Sequence, residues 1–182
     1  MLRRFLSLAG LAAIVSGCAP WHELPGPMRQ APELRADALV ASDGAVLPLR
    51  RWGPTGDPRA VVLALHGFND YSRAFAEPAK AFTAARIVTY AYDQRGFGKA
   101  PHKGTWSSVD AMTDDLRTAV RLIRARHPGV PFYIVGESMG AAVVLAAMNQ
   151  DRPPTLAEGA PRLKAHPVSG SNGLTRHFDK DR

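Results

Sequence analysis

The sequence predicts a mainly parallel α/β sheet with helices on both of its faces. Three observations carry that expectation. The runs Ala60–Leu65 and Ile87–Tyr92 are apolar without alternation, as strands covered on both sides must be. Segments of helical periodicity separate them from each other and from a third apolar run, Phe132–Val135. That third run leads into Gly136-Glu137-Ser138-Met139-Gly140 and then into the Ala- and Leu-rich stretch Ala141–Met148. Strand, G-x-S-x-G and helix in that order are the layout of a nucleophile elbow.

The composition is that of one globular domain: 182 residues, 46% hydrophobic and 21% charged. The net charge of +7 includes Arg3 and Arg4, and the other basic residues are scattered among acids. No basic run or aromatic-interleaved stripe accompanies the charge, so no nucleic-acid partner is expected. Residues 1–17 read as a secretory signal: Arg3-Arg4, then the apolar run Phe5–Val15, then small residues, too short to span a bilayer. Val15-Ser16-Gly17-Cys18 resembles the lipobox of bacterial lipoproteins. That resemblance implies cleavage before Cys18, a lipid anchor on it, and a place in the bacterial cell envelope; Ala19 after the cysteine points to the outer membrane. Cys18 is the only cysteine, so no disulfide forms within the chain. Residues 18–35, with Pro20, Pro25, Pro27 and Pro32, are expected to form an extended tether.

Residues 36–150 carry the domain. Asp37–Val40, the turn Ser42-Asp43-Gly44 and Ala45–Trp52 read as a hairpin. Gly53–Pro58 is a loop, and the strand Ala60–Leu65 then ends at His66-Gly67-Phe68-Asn69-Asp70. Tyr71–Ala85 is expected to be helical, and the strand Ile87–Tyr92 ends in Asp93-Gln94-Arg95-Gly96-Phe97-Gly98. Val109, Met112, Leu116, Val120 and Ile123 fall on one helical face, and that helix stops near His127-Pro128-Gly129 with a basic last turn. In the elbow itself, a hydroxyl held proud of a sheet requires a costly backbone angle in a very tight turn. Gly136 and Gly140 remove the side chains that would collide there. Ser138 also lands at a helix N-terminus, where free N–H groups favour a developing oxyanion.

His66-Gly67-Phe68, Tyr92-Asp93-Gln94-Arg95-Gly96-Phe97-Gly98 and Gly136-Glu137-Ser138-Met139-Gly140 follow one another in an order and spacing that resemble the α/β-hydrolase superfamily. Within it the chain is most similar to the monoacylglycerol lipase/lysophospholipase-like serine hydrolases, over about Asp37 to Gly159. The fold implied is the N-terminal part of an α/β-hydrolase, with the opening hairpin and parallel strands present and the later strands and cap missing. The resemblance makes Ser138 the nucleophile and assigns the oxyanion hole to the backbone N–H groups of Met139 and Phe68. His66 precedes the serine and ends a strand, so its expected role is to bond the loop backbone. Asp93 and Arg95 are expected to fix loops. Gly96-Phe97-Gly98 lacks the third glycine of a dinucleotide fingerprint, and neither a metal nor another cofactor is expected. The implied partners are a lipid or ester substrate and the membrane.

In this family the acid and histidine follow the serine on loops beyond later strands. Residues 151–182 contain only Leu156, Leu163, Val168, Leu174 and Phe178 as large apolar residues, too few to offset the entropy of ordering. The segment is expected to be disordered and to supply neither triad partner. Asp151 followed by His166 or His177 keeps the family order, but Asp151 stands at the foot of the helix that Ser138 opens. The expectation is therefore a serine ester hydrolase by family in a C-terminally truncated form, from a frameshift near Ala160, without an evident acid or base. The alternative expectation is a non-catalytic lipoprotein remnant or a partner-completed fragment. Phe132–Val135 would then form an unpaired apolar edge of the sheet.

Overall fold

A computed structural model describes residues 23–149. The signal segment, Cys18 and the tail 151–182 lie outside the described residues. The elements are β1 (Glu33–Leu34), β2 (Ala38–Val40), β3 (Val46–Trp52), β4 (Ala60–Leu65), a 3₁₀ turn (Ser72–Phe75), α1 (Ala76–Ala84), β5 (Ile87–Tyr92), α2 (Val109–Arg126), β6 (Phe132–Gly136) and α3 (Met139–Met148). The strands form one sheet in the order β1-β2-β3-β5-β4-β6. β2 and β3 make the expected antiparallel hairpin, with Leu39 opposite Leu47. β3 joins β5 antiparallel, while β5, β4 and β6 run parallel. Each parallel neighbour is reached through a helical crossover, which is what the alternation of apolar runs and helical periodicity requires.

The helices lie on both faces, as the unbroken apolar character of β4 demands. Val61, Leu63 and Leu65 point into the larger core with Met112, Leu116, Val120 and Ile123 of α2 and Val143, Val144 and Ala147 of α3. Val62 and Ala64, one step out of phase, meet Phe75 and Ala91, with Phe82 of α1 packed against them. The period of two along a strand thus assigns each side chain of β4 to one layer. α2 opens on Ser108, whose side chain accepts from the Ala111 N–H at 3.2 Å. It ends with Arg124 and Arg126 in its last turn, and Arg126 also donates to the Leu34 carbonyl at 2.7 Å.

Three details differ from the sequence reading. The first turn of the expected helix at Tyr71–Ala85 is 3₁₀, because the Ser72 N–H and hydroxyl are both spent on Asp93. Val109 is exposed at the first position of α2, and the buried stripe begins only at Ala111 and Met112. Residues 23–35, expected as part of a tether, lie along the domain instead. Glu23 exchanges backbone hydrogen bonds with Trp106 and Ser108, Arg29 and Gln30 donate to the Ser42 carbonyl, and Leu34 is buried beside β2. Once Leu34 has a core to enter, the prolines around it no longer keep the segment extended in water.

β6 pairs with β4 alone and closes the strand order among the described residues. Its inward residues Phe132 and Ile134 are buried, while Tyr133 faces solvent.

Candidate active site

Ser138 stands between the end of β6 and the start of α3 with φ 47° and ψ −111°. For a residue with a Cβ that backbone is strained, at a cost of about 1–3 kcal/mol. The neighbours show what enforces it. A Cβ on Gly136 would fall 2.5 Å from the Ala141 nitrogen. One on Gly140 would meet the Leu65 carbonyl and lie 2.8 Å from the His66 carbonyl oxygen. Gly136 therefore lets the first turn of α3 fold back over the strand, and Gly140 lets that turn rest on the end of β4. The turn is pinned by the Glu137 N–H on the Leu65 carbonyl at 3.0 Å and by the Gly140 N–H on the Glu137 carbonyl at 2.8 Å. Ser138 itself is exposed.

The loop after β4 approaches this corner. A Cβ on Gly67 would lie 3.6 Å from the Ser138 Cβ and 3.6 Å from the Glu137 carbonyl oxygen, and Phe68 is the next residue of that loop. Among the described residues, neither the Phe68 N–H nor the Met139 N–H donates to another backbone carbonyl.

His66 is completely buried, and both ring nitrogens are committed. Its Nε2 accepts from the Gln94 N–H at 3.0 Å, so Nδ1 must carry the proton, and it lies 2.8 Å from the Gly67 carbonyl oxygen. The Gln94 side chain returns the bond to the His66 carbonyl at 2.8 Å. The ring is thus a bracket joining the two loops, in the role its position in the sequence suggested. Burial pulls its pKa below the ordinary 6.5, against the Gly67 carbonyl and the nearby acids. The sign for stability follows: the unfolded chain takes up a proton below 6.5 while the folded ring stays neutral. This contribution is complete above 6.5 and is lost as pH falls from there through the lowered value of the folded ring. A pH titration followed by nitrogen-15 spectra of labelled protein is expected to show His66 as the Nδ1–H tautomer when neutral, with a midpoint below 6.5. A ring half-protonated at 6.5 would refute the bracket.

The charged residues of the second motif also tie loops. Asp93 Oδ1 takes both the N–H and hydroxyl of Ser72, and Oδ2 accepts from the Lys99 N–H at 2.9 Å. Arg95 is buried between two carboxylates. Its Nε and Nη2 donate to Asp115 at 2.7 and 2.8 Å, and its Nη1 and Nη2 donate to Asp43 at 2.7 and 3.1 Å. The guanidinium fork therefore joins the β5 loop to the β2–β3 turn and to α2. The sequence marked Arg95 as loop-fixing but named neither partner, because they stand 52 and 20 positions away.

The other described histidines are also occupied: His102 Nε2 lies 3.1 Å from a Glu23 carboxylate oxygen, and His127 Nε2 lies 2.9 Å from the Tyr90 hydroxyl. The structure thus gathers Ser138, Met139 and Phe68 at one corner, and among the described residues it brings no imidazole to them. Sequence reasoning missed the rings beside this corner. Phe68, Phe97 and Trp106 contact one another with centroids 5.6–6.2 Å apart. Aromatic residues in both flanking loops were the available signal.

Comparison with known proteins places the chain by family. A family model described as serine aminopeptidase, S33 matches residues 56–172. A monoacylglycerol lipase of Mycolicibacterium smegmatis is 34% identical over 96 residues, 52% of this chain and 34% of that protein. A monoglyceride lipase of Homo sapiens is 30% identical over 108 residues, 59% of this chain and 36% of that protein. A soluble variant of a Saccharomyces cerevisiae monoglyceride lipase, solved with a substrate analogue, superposes with a TM-score of 0.55 at 25% identity. That match covers 74% of this chain and 44% of the yeast one. The chain spans less than half the length of these relatives.

Proposed function

From the premise that the chain belongs to the serine aminopeptidase S33 family of α/β-hydrolases and is monoacylglycerol-lipase-like, we propose that it is a serine ester hydrolase of monoacylglycerol- or lysophospholipid-like substrates. One observation carries the reading: an exposed serine held at φ 47°, with the Gly67-Phe68 loop against it. Ser138 Oγ attacks the ester carbonyl carbon and gives its proton to a base. The carbonyl oxygen becomes an oxyanion facing the Phe68 and Met139 N–H groups. One such donor is worth about 3–4 kcal/mol in the transition state. Collapse expels the alcohol, which takes up the proton, and water then releases the acid from Ser138. A lipid on Cys18 holds the enzyme at the outer membrane of the cell envelope, next to substrates of this class.

The engagement of His66, His102 and His127 elsewhere favours a second reading, a non-catalytic lipoprotein or one whose base comes from a partner. In the first reading the base lies outside the described residues; loss of a triad base costs roughly a million-fold in turnover. A fluorophosphonate probe separates the two. The proposed hydrolase labels at Ser138 at the rate usual for serine hydrolases and loses the label in Ser138→Ala. A folded chain that stays unlabelled is the non-catalytic lipoprotein, and one that labels only after a cell extract is added is partner-completed. Palmitate incorporation that disappears in Cys18→Ala tests the anchor.

A further inference from the structure

A cavity of about 440 Å³ lies between the loop after β4, which carries Phe68, and the loop after β5. A space of that size takes a small organic group. Phe68, Tyr71, Phe97 and Trp106 line its apolar side, and Asp70 and Lys103 stand among its polar lining. The rings are arranged in a definite way. Phe97 is 7% exposed and meets the others edge-on, at interplanar angles of 75° to Phe68 and 86° to Trp106. Phe68 and Trp106 are tilted by 41° to each other and remain 58% and 41% exposed. One ring is thus spent on the core, and it props up two whose surfaces are left to solvent. Two adjacent large rings left wet are costly unless something covers them.

We propose that this cavity is a subsite for a planar aromatic group of the ester substrate, held against Phe68 and Trp106. The proposal rests on the reading of Ser138 as nucleophile and extends its substrates beyond aliphatic monoacylglycerols and lysophospholipids to esters that carry an aryl group. Continuity with the site supports it: Phe68 lines the cavity, its backbone N–H is the proposed oxyanion donor, and a Cβ on the preceding Gly67 would lie 3.6 Å from the Ser138 Cβ. The mutual contacts of the three rings argue against a cationic headgroup. With centroids 5.6–6.2 Å apart, the rings do not form the open cage that encloses a quaternary ammonium, so a ligand lies against their outer faces. An aliphatic chain would bury similar area, but only a planar ring adds offset-stacked or edge-to-face contact with these faces.

The test uses the full chain carrying Trp21→Phe and Trp52→Phe, which leaves Trp106 as the only tryptophan. Benzyl alcohol is expected to change Trp106 emission saturably and to bind about threefold to tenfold more tightly than cyclohexylmethanol. Phe68→Ala, at an exposed side chain, is expected to abolish the difference with the circular dichroism unchanged, while Ser138→Ala binds as before. No saturable change, equal affinity for the two alcohols, or a preference that survives Phe68→Ala overturns the subsite. Fluorophosphonate labelling keeps the two readings apart. Selective benzyl alcohol binding without labelling upholds the subsite and sinks the nucleophile; labelling without such binding does the reverse.

Discussion

Gly140→Ala is expected to destabilise the domain by about 3 kcal/mol, a fall in Tm of roughly 10 °C. The added methyl meets backbone atoms, the carbonyl groups of Leu65 and His66, rather than the yielding end of a side chain. Leu65 has little freedom to move aside. It is paired with Gly136 in the parallel ladder, and its carbonyl accepts the Glu137 N–H. The strain must then pass into Ser138, whose φ of 47° the close approach of α3 to β4 maintains. The same variant should therefore lose fluorophosphonate labelling even below its melting temperature, if the wild type labels. Gly56→Ala is the control, because nothing lies within 4 Å of a Cβ there. Thermal melts of the three proteins decide the matter: a Gly140→Ala chain that melts with the wild type would remove the packing basis of the elbow.

Arg95→Met is expected to cost about 3–5 kcal/mol, since it strands two carboxylates that the guanidinium now neutralises out of water. A lysine would not rescue it, because one ammonium cannot reproduce the double fork to Asp43 and Asp115. The pH dependence carries a sign that tests the cause. Burial works against the charged form of Asp43. Hydrogen bonds from Arg95 and from the Ala45 and Gly26 N–H groups outweigh it and hold the carboxyl at about 2. Its contribution is complete above the unfolded value of 3.8 and is lost as pH falls toward 2. Asp115 runs the other way: burial raises its carboxyl to about 6 despite Arg95, so folding gains from this group as pH drops through 6. Without the guanidinium both carboxyls titrate higher, and protonation relieves the stranded charge. The stability gap between wild type and Arg95→Met is expected to narrow from pH 7 to pH 5 in urea unfolding. A gap that widens would show that the arginine acts through packing rather than charge.

What the sequence revealed depended on how local each signal was. β4 and β5 were readable because burial on both faces leaves an unbroken apolar run, and the elbow because its glycines and serine fall within five positions. His66 could be placed structurally because it ends β4 ahead of the nucleophile. Features made by distant residues were not readable. The Asp43–Arg95–Asp115 bridge joins two loops and one helix, and no periodicity links its members. The docking of Glu23 against Trp106 and Ser108 depends on backbone hydrogen bonds that carry no side-chain signature. The 3₁₀ turn at Ser72 arises from a carboxylate 21 positions away. The aromatic cluster of Phe68, Phe97 and Trp106 looked like three unrelated loop residues until the fold set them side by side.

The His66 bracket has a consequence for how this corner breathes. One imidazole holds the Gly67 carbonyl and the Gln94 amide together, and the Gln94 side chain doubles the clasp. Neither loop can swing away without the other, so both should take up deuterium at one shared rate, in a single opening event. The mouth beside the serine would then have only two states, shut tight or sprung wide.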